Sequence, residues 1–170
     1  MKKTFLIVIS LICLAFVSYA QQAAFVNTKY ILSKMPDYQE AKKQLDQAAA
    51  QWQKEIDDKQ AILDKMHKEF DAEQDMLSDD LKKKRQDDLL NREREVRDLQ
   101  RTHFGLEGDW FKKKQELIKP LQDKVYSVIQ KIAANKNYSM VLDKSEGVTV
   151  MFSDSKLDIS EDVITALGVK

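Results

Sequence analysis

The side chains that could carry chemistry in this chain are two histidines and several pairs of neighbouring acids. His67 and His103 are the only histidines, and two imidazoles brought together could transfer protons or bind a metal ion. Adjacent acids such as Asp57 and Asp58 point to different sides of a helix, which favours a solvated surface over a carboxylate site. No glycine-rich phosphate loop is present in the sequence. We therefore predict that the protein is not an enzyme and has no cofactor and no metal site.

The two prolines, Pro36 and Pro120, enclose a long segment with the periodicity of a helical hairpin. On both sides of Ser78, apolar residues recur at three- and four-residue spacing, which is typical of helices that pair in a coiled coil. Ser78 is a good N-cap for a second helix, and the two aspartates after it suit the positive end of that helix. We predict antiparallel arms over residues 37–76 and 80–119, a turn near Ser78, and the two prolines side by side.

The register of this hairpin decides which side chains can meet. It places Trp52 opposite Gly105, so that a large residue packs against a small one. It also separates His67 and His103 by about 14 residues along the arms, on the order of 20 Å. That distance is too great for the two histidines to share a metal ion or a proton.

The segments on either side of the hairpin predict a small body of strands and short helices. We expect strands over residues 24–27, 139–142 and 148–152, an amphipathic helix after Pro120, and a last short helix from Ser160. A sheet this small has open edges and usually needs a partner. The residues expected to join subunits lie in these strands: Phe25, Val26, Met140, Val141, Val148 and Val150.

The N-terminus has the three parts of a secretory signal peptide: a basic start, an apolar run over residues 4–17, and small residues before Gln21. The run is shorter than the roughly 20 residues of a membrane span, so we predict cleavage and no stable membrane insertion. Cleavage would remove Cys13, the only cysteine. The predicted domains are a signal peptide over 1–20, a β/α oligomerisation body over 21–36 and 120–170, and a hairpin arm over 37–119.

The charge balance argues against nucleic acid as a partner. The chain has 28 basic and 28 acidic residues, and loss of the two N-terminal lysines would leave it slightly acidic. Proteins that bind nucleic acid through its phosphates carry a basic surface instead. Four glycines and two prolines are also few for a chain with many turns, so we predict a mainly helical protein.

In the order of its segments the chain resembles the Skp/OmpH family of periplasmic chaperones. The resemblance covers the whole mature chain. It is carried by residues 25–27, by the long charged hairpin, by residues 138–143, and by the closing segment 158–163. The best-known member of the family is strongly basic, whereas this chain is not, and the difference weakens any attraction to anionic lipid.

The resemblance implies a fold class, an assembly and a function. The fold would be mainly α with a small β body, and a long antiparallel helical coiled-coil hairpin would project from that oligomerisation body. Three copies would form a homotrimer whose arms surround a cavity. The implied function is that of an ATP-independent periplasmic holdase, which binds unfolded outer-membrane proteins, prevents their aggregation during transit and contacts the envelope only transiently.

A holdase needs scattered apolar contacts among solvated charges. The arms offer methionine, which adapts to varied partners, together with leucine and phenylalanine. The same side chains could instead face the other arm and close the seam between the helices. The candidate client-binding residues are Met66, Phe70, Met76, Leu77, Phe104 and Phe111.

Two glycines, Gly105 and Gly108, lie in the return arm, where each costs about 1 kcal/mol relative to alanine. We consider them hinge candidates that would let the cavity widen for larger clients. The alternative is that Gly105 only makes room for Trp52.

The alternative function is a structural coiled-coil spacer or an envelope adaptor that binds one folded partner. A spacer favours an unbroken apolar stripe. Here Lys59, Glu73, Arg92 and Lys114 interrupt the stripe, and these interruptions favour flexible arms.

Overall fold

The computed structural model describes residues 22–145, 147 and 150–169. The predicted signal peptide and the candidate Val148 lie outside the described residues. The fold is mainly α with long helices and a small β part, as the sequence predicted. In chain order the elements are β1 (Gln22–Val26), α1 (Thr28–Lys34), α2 (Pro36–Glu73), α3 (Asp79–Phe104), α4 (Asp109–Asn135), β2 (Tyr138–Asp143), a 3-10 turn (Ser155–Leu157) and α5 (Ser160–Ala166).

The chain divides into two compact units. The hairpin unit is Met35–Asp123, and the β-unit combines Met1–Lys34 with Lys124–Lys170. The first part of α4 therefore belongs to the hairpin unit and its last part to the β-unit.

Helix α2 begins at a proline. Pro36 is its first residue, a position where the missing N–H is not needed and the fixed φ is already helical. Met35 before it is extended and almost fully buried. The helix then continues for 38 residues to Glu73, which corresponds to about 57 Å.

The chain reverses in the short segment between α2 and α3. Ser78 is the N-cap residue of α3, as predicted, and Asp79 and Asp80 occupy its first turn. The Ser78 side chain makes no capping hydrogen bond. The start of α3 is therefore stabilised by the negative charge of its first turn, which faces the positive end of the helix dipole.

A thin apolar seam joins α2 and α3. Each helix buries one stripe of side chains against the other, and this stripe is the core of the hairpin. Where Lys59 interrupts the stripe, its Nζ donates a hydrogen bond to a carboxylate oxygen of Glu95 on α3. The hydrogen bond from Lys59, followed by that from Arg92, lowers the pKa of Glu95. The buried residues of the seam are Ile56, Leu63, Leu89 and Val96.

The return arm is not the continuous helix over residues 80–119 that the sequence predicted. Helix α3 ends at Phe104 and α4 begins at Asp109. The physical reason is the pair Gly105 and Gly108, which are poor helix formers placed three residues apart. We call the segment between α3 and α4 the break.

The break has a tight backbone. The N–H of Gly105 donates to the carbonyl of Arg101 at 2.9 Å, and the N–H of Gly108 donates to the carbonyl of Gly105 at 2.9 Å. Between them Glu107 has a positive φ of 59°, which is uncommon for a residue with a side chain. A Cβ atom at Gly105 would collide with the Arg101 carbonyl oxygen, so this conformation requires glycine there.

Pro120 does not mark a helix boundary, contrary to the prediction of a separate helix after it. It lies inside α4, which continues to Asn135. A proline in this position cannot donate a hydrogen bond to the carbonyl of Glu116. Ile118 before it and Val125 after it are both buried, and this burial offsets the lost hydrogen bond.

The β-unit is built on one pair of parallel strands. β1 and β2 pair with Phe25 opposite Leu142. On the other side of β1, the N–H of Ile159 donates to the carbonyl of Phe25 at 2.9 Å, so β1 has backbone neighbours on both sides. The buried side chains of this unit include Ala24, Val26, Ile31, Val125, Ile129, Ile159, Val163 and Ile164.

The predicted third strand over residues 148–152 is wrong for the part of it that the structure describes. Val150, Met151 and Phe152 lie outside any strand. Met151 and Phe152 are 91% and 87% exposed. A strand needs a neighbour for its backbone groups, and among the described residues these three have no strand partner.

Helix α1 was not predicted from the sequence. Its N-cap is visible in the structure, where the Asn27 side chain accepts a hydrogen bond from the N–H of Tyr30 at 2.9 Å. The helix has only 7 residues, too few to show a helical period. An asparagine directly after an apolar strand was the one available signal.

Candidate functional site

The tip of the hairpin carries exposed apolar side chains. We define the tip as Met76, Leu77 and Leu81. Met76 is 80% exposed and Leu81 is 53% exposed, while Leu77 is partly buried. These residues lie beyond the last buried residues of the seam, and the side chains of Met76 and Leu81 are left largely uncovered. The tip therefore offers apolar contacts to another molecule.

Two other candidates for client binding lie on the seam. Met66 and Phe70 are partly buried and pack against the seam residues. This placement matches the alternative that the sequence left open, in which such side chains close the hairpin. Only the exposed part of each side chain remains for contacts with a client.

A second apolar group surrounds the break. Phe104 and Phe111 are exposed, and Leu106 between them is fully exposed. Phe104 packs edge-on against Trp52 with a centroid distance of 6.3 Å. Trp52 was predicted to lie opposite Gly105. In the structure it packs on the two residues just before that glycine, His103 and Phe104, so it meets two aromatic rings rather than a small residue.

The two histidines face different carboxylates. His67 Nε2 lies 3.3 Å from a carboxylate oxygen of Glu93. His103 Nδ1 lies 2.8 Å from Oδ2 of Asp109, and its ring stacks on Trp52 with a centroid distance of 5.2 Å. Among the residues that the structure describes, no cluster of three or more histidine, cysteine or acidic side chains could hold a metal ion.

Asp143 is the centre of a polar network in the β-unit that the sequence did not predict. Its Oδ1 accepts hydrogen bonds from the N–H of Thr28 at 3.2 Å and of Ser145 at 2.9 Å. Its Oδ2 accepts from the Thr28 hydroxyl. Burial alone would raise the pKa of Asp143, but these hydrogen bonds outweigh it and hold the pKa below its ordinary value. The carboxylate ties the end of β2 to the start of α1.

Asp158 plays the same part on the other side of β1. It accepts hydrogen bonds from the N–H of Ser160 at 2.9 Å and from Lys144 Nζ at 2.6 Å. The Ser160 hydroxyl in turn accepts from the N–H of Asn27 at 2.9 Å. Burial would raise the pKa of Asp158, but the hydrogen bonds from Lys144 and Ser160 prevail and lower it. The network thus joins β1, the segment after β2 and the start of α5.

The residues predicted to join subunits differ in how available they are. Val26 is almost fully buried inside the β-unit, so its side chain already belongs to the core of this chain. Met140 is half-exposed, and Phe25, Val141 and Val150 are partly buried.

No helix among the described residues is both long enough and apolar enough to span a membrane. The observed class is a long helical hairpin with an apolar tip, combined with a small β-unit that is held by partly buried carboxylate networks.

Comparison with known proteins assigns this class to a family. The model of the outer membrane protein (OmpH-like) family matches residues 22–167, and the chain therefore belongs to the OmpH-like family. This confirms the resemblance seen in the sequence.

A solved structure supports the fold. The chain is similar to a candidate outer membrane chaperone (OmpH-like) from Caulobacter crescentus CB15, with a TM-score of 0.64 and 15% identity over 88% of this chain and 85% of that one. At this identity the similarity concerns the fold. No match was found among the curated proteins.

Proposed function

We propose that the protein is an ATP-independent periplasmic holdase chaperone. It binds unfolded outer-membrane proteins in a cavity between the arms of a homotrimer and prevents their aggregation during transit. The observation that supports this most is the exposed apolar tip on a hairpin whose other faces are mostly charged. Membership of the OmpH-like family supports it independently.

The tip has the chemistry that a weak, unselective binder needs. An unfolded barrel protein exposes alternating apolar side chains, and a flexible methionine can adapt to many of them. Met76 at 80% exposure is such a contact. The exposed group at the break, with Leu106 and Phe111, offers a second contact on the same hairpin, so one client can be held at several weak points.

The assembly that would enclose the client forms through the β-unit. We propose that Phe25, Met140, Val141, Val148 and Val150 contact neighbouring subunits. We propose that residues 1–20 direct export across the inner membrane and are then cleaved, which mass spectrometry of the exported chain would reveal directly.

The test is a dilution experiment with a matched pair of variants. A urea-unfolded outer-membrane barrel protein is diluted into buffer with one trimer equivalent of the mature protein, and light scattering reports aggregation. We expect suppression by the wild type and weaker suppression by Leu81→Ser at the tip. Ile62→Ser is the control, because Ile62 is equally exposed at 53% but lies along the arm, away from the tip and the break.

Each outcome is informative. Equal loss in both variants would show that any exposed apolar residue of the arm serves, and that the tip has no special role. Failure of the wild type to suppress aggregation at all would reject the holdase function and leave the spacer or adaptor as the function to pursue.

A further inference from the structure

One side chain, His103, connects three helices at the break. It lies in the last turn of α3, and its ring stacks on Trp52 of α2 at 5.2 Å with an interplanar angle of 10°. Its Nδ1 contacts Asp109, the first residue of α4, at 2.8 Å. The His103 side chain is only 12% exposed. It therefore bridges the break from inside the hairpin unit.

The positions of protons on this ring follow from its partners. A carboxylate only accepts hydrogen bonds, so the Nδ1 that faces Asp109 must carry a proton. In the neutral ring, Nε2 then has a lone pair, and this atom is buried without a hydrogen-bond partner. The nearest charged atom to it is Oε2 of Glu55 on α2, at 3.6 Å, which is another acceptor. Only the charged imidazolium gives each carboxylate a donor.

The described charged groups that contact the two ring nitrogens are both acidic, Glu55 on α2 and Asp109 on α4. The lysines nearest to Glu55 along α2 are paired with other acids, Lys54 with Asp58 and Lys59 with Glu95. On α3, Arg101 is paired with Asp98.

We infer that His103 is a proton-operated clamp on the break. When it is protonated, it holds α2 through Glu55 and α4 through Asp109, and the break stays closed on Trp52. When it is neutral, Nδ1–H still donates to Asp109, but the contact with Glu55 becomes a contact between two acceptors, and the hold of the break on α2 is weakened. Since acid charges an imidazole, the hairpin is expected to be tighter at lower pH. This property belongs to the hairpin alone and does not depend on the proposed chaperone function.

The experiment uses the mature protein and two readouts. Amide hydrogen exchange is measured over residues 104–110 near pH 5.5 and pH 8 and corrected for the intrinsic rates. We expect roughly fivefold slower exchange at the lower pH, which is the upper end for one partly exposed ion pair. In a Trp110→Phe background, which leaves Trp52 as the only tryptophan, fluorescence should be quenched on acidification by the stacked imidazolium.

Three variants decide the assignment. His103→Gln should remove both pH effects, whereas His67→Gln should leave them intact. Glu55→Gln keeps the His103 ring and its stacking, so it should weaken the pH dependence of exchange without abolishing Trp52 quenching. The clamp would be overturned if neither readout changed between the two pH values, if either readout kept its full change in His103→Gln, or if exchange kept its full pH dependence in Glu55→Gln.

Discussion

Two aspartates hold the ends of the β-unit together. Asp143 and Asp158 each accept hydrogen bonds from backbone and side-chain donors, and both have pKa values below the ordinary one. They connect elements that are far apart in sequence, since Thr28 and Asp143 are 115 positions apart. No pattern in the sequence identifies such partners, because a single aspartate after a strand is equally compatible with a solvated turn.

The first prediction concerns stability and pH. The pKa of the Asp143 carboxyl is lower in the folded protein than in the unfolded chain, where it is about 4. Its ionised form therefore stabilises the fold at pH values above about 4, and this stabilisation is lost as the pH falls through the pKa of the folded state. Asp143→Asn should lower the free energy of unfolding by about 1–2 kcal/mol at neutral pH. Urea titrations at pH 7 and about pH 3 should show that this difference shrinks in acid.

The control for this prediction is Asp71→Asn, an exposed position on α2. It should change the free energy of unfolding by less than about 0.5 kcal/mol. If Asp143→Asn behaved like this control at both pH values, the network would have no part in stability.

At the scale of elements, the seam between α2 and α3 could be predicted from the sequence. Its apolar residues recur with the period of two paired helices, and burial follows that period: Leu63 is buried and its neighbour Ile62 is not. The break between α3 and α4 could be predicted only in part. The sequence marks Gly105 and Gly108 as hinge candidates, but the length of chain that leaves the helix depends on backbone hydrogen bonds that composition does not predict.

The second prediction uses those two neighbours. Leu63→Ala should lower the free energy of unfolding by about 2 kcal/mol, at the low end for buried leucines because the seam is narrow and can collapse onto the gap. Ile62→Ala should cost less than about 0.5 kcal/mol. Denaturant unfolding followed by far-ultraviolet circular dichroism compares them, and equal losses would show that the seam is not the core of the hairpin.

The third prediction concerns the break. Alanine at Gly105 cannot keep the present backbone, because its Cβ would meet the Arg101 carbonyl oxygen. In the double variant Gly105→Ala/Gly108→Ala, α3 should extend towards α4, since alanine is more favourable than glycine in a helix by about 1 kcal/mol per position. Helicity should rise and amide exchange across the break should slow.

This double variant also tests the hinge. A stiffer return arm should narrow the spread of arm openings seen by spin-label distances or solution scattering. An unchanged spread would show that the two glycines are not a hinge, whatever happens to helicity.

For the whole molecule, the sequence predicted the mainly helical class and the family, because long periodic segments and the order of terminal motifs are properties of the chain alone. It failed on the third strand and on Pro120. Both outcomes depend on contacts with other parts of the fold. A strand at residues 150–152 has no described neighbouring strand in one chain. A proline is tolerated inside α4 because buried residues on either side of it stabilise the helix.

The fourth prediction is that the exposed segment after β2 is covered on assembly. Phe152 is 87% exposed, and an apolar side chain left open to this degree favours association. Phe152→Ser should lower the mass seen by multi-angle light scattering at micromolar concentration. Met76→Ser, which is almost as exposed but lies at the tip, should leave the mass unchanged. A constant mass in both would place the interface elsewhere.

The parallel pairing of β1 with β2 has a consequence for the order of folding. β1 is synthesised early, yet its partner strand follows only after α1 to α4, so the pair closes a very long loop and its formation is slow. The hairpin has mostly local contacts near its turn and can zip from there. Once Trp52 and His103 touch, much of that loop is already closed. Folding of the hairpin is therefore expected to precede and accelerate strand pairing, so a newly made chain acquires its hairpin before its β-unit.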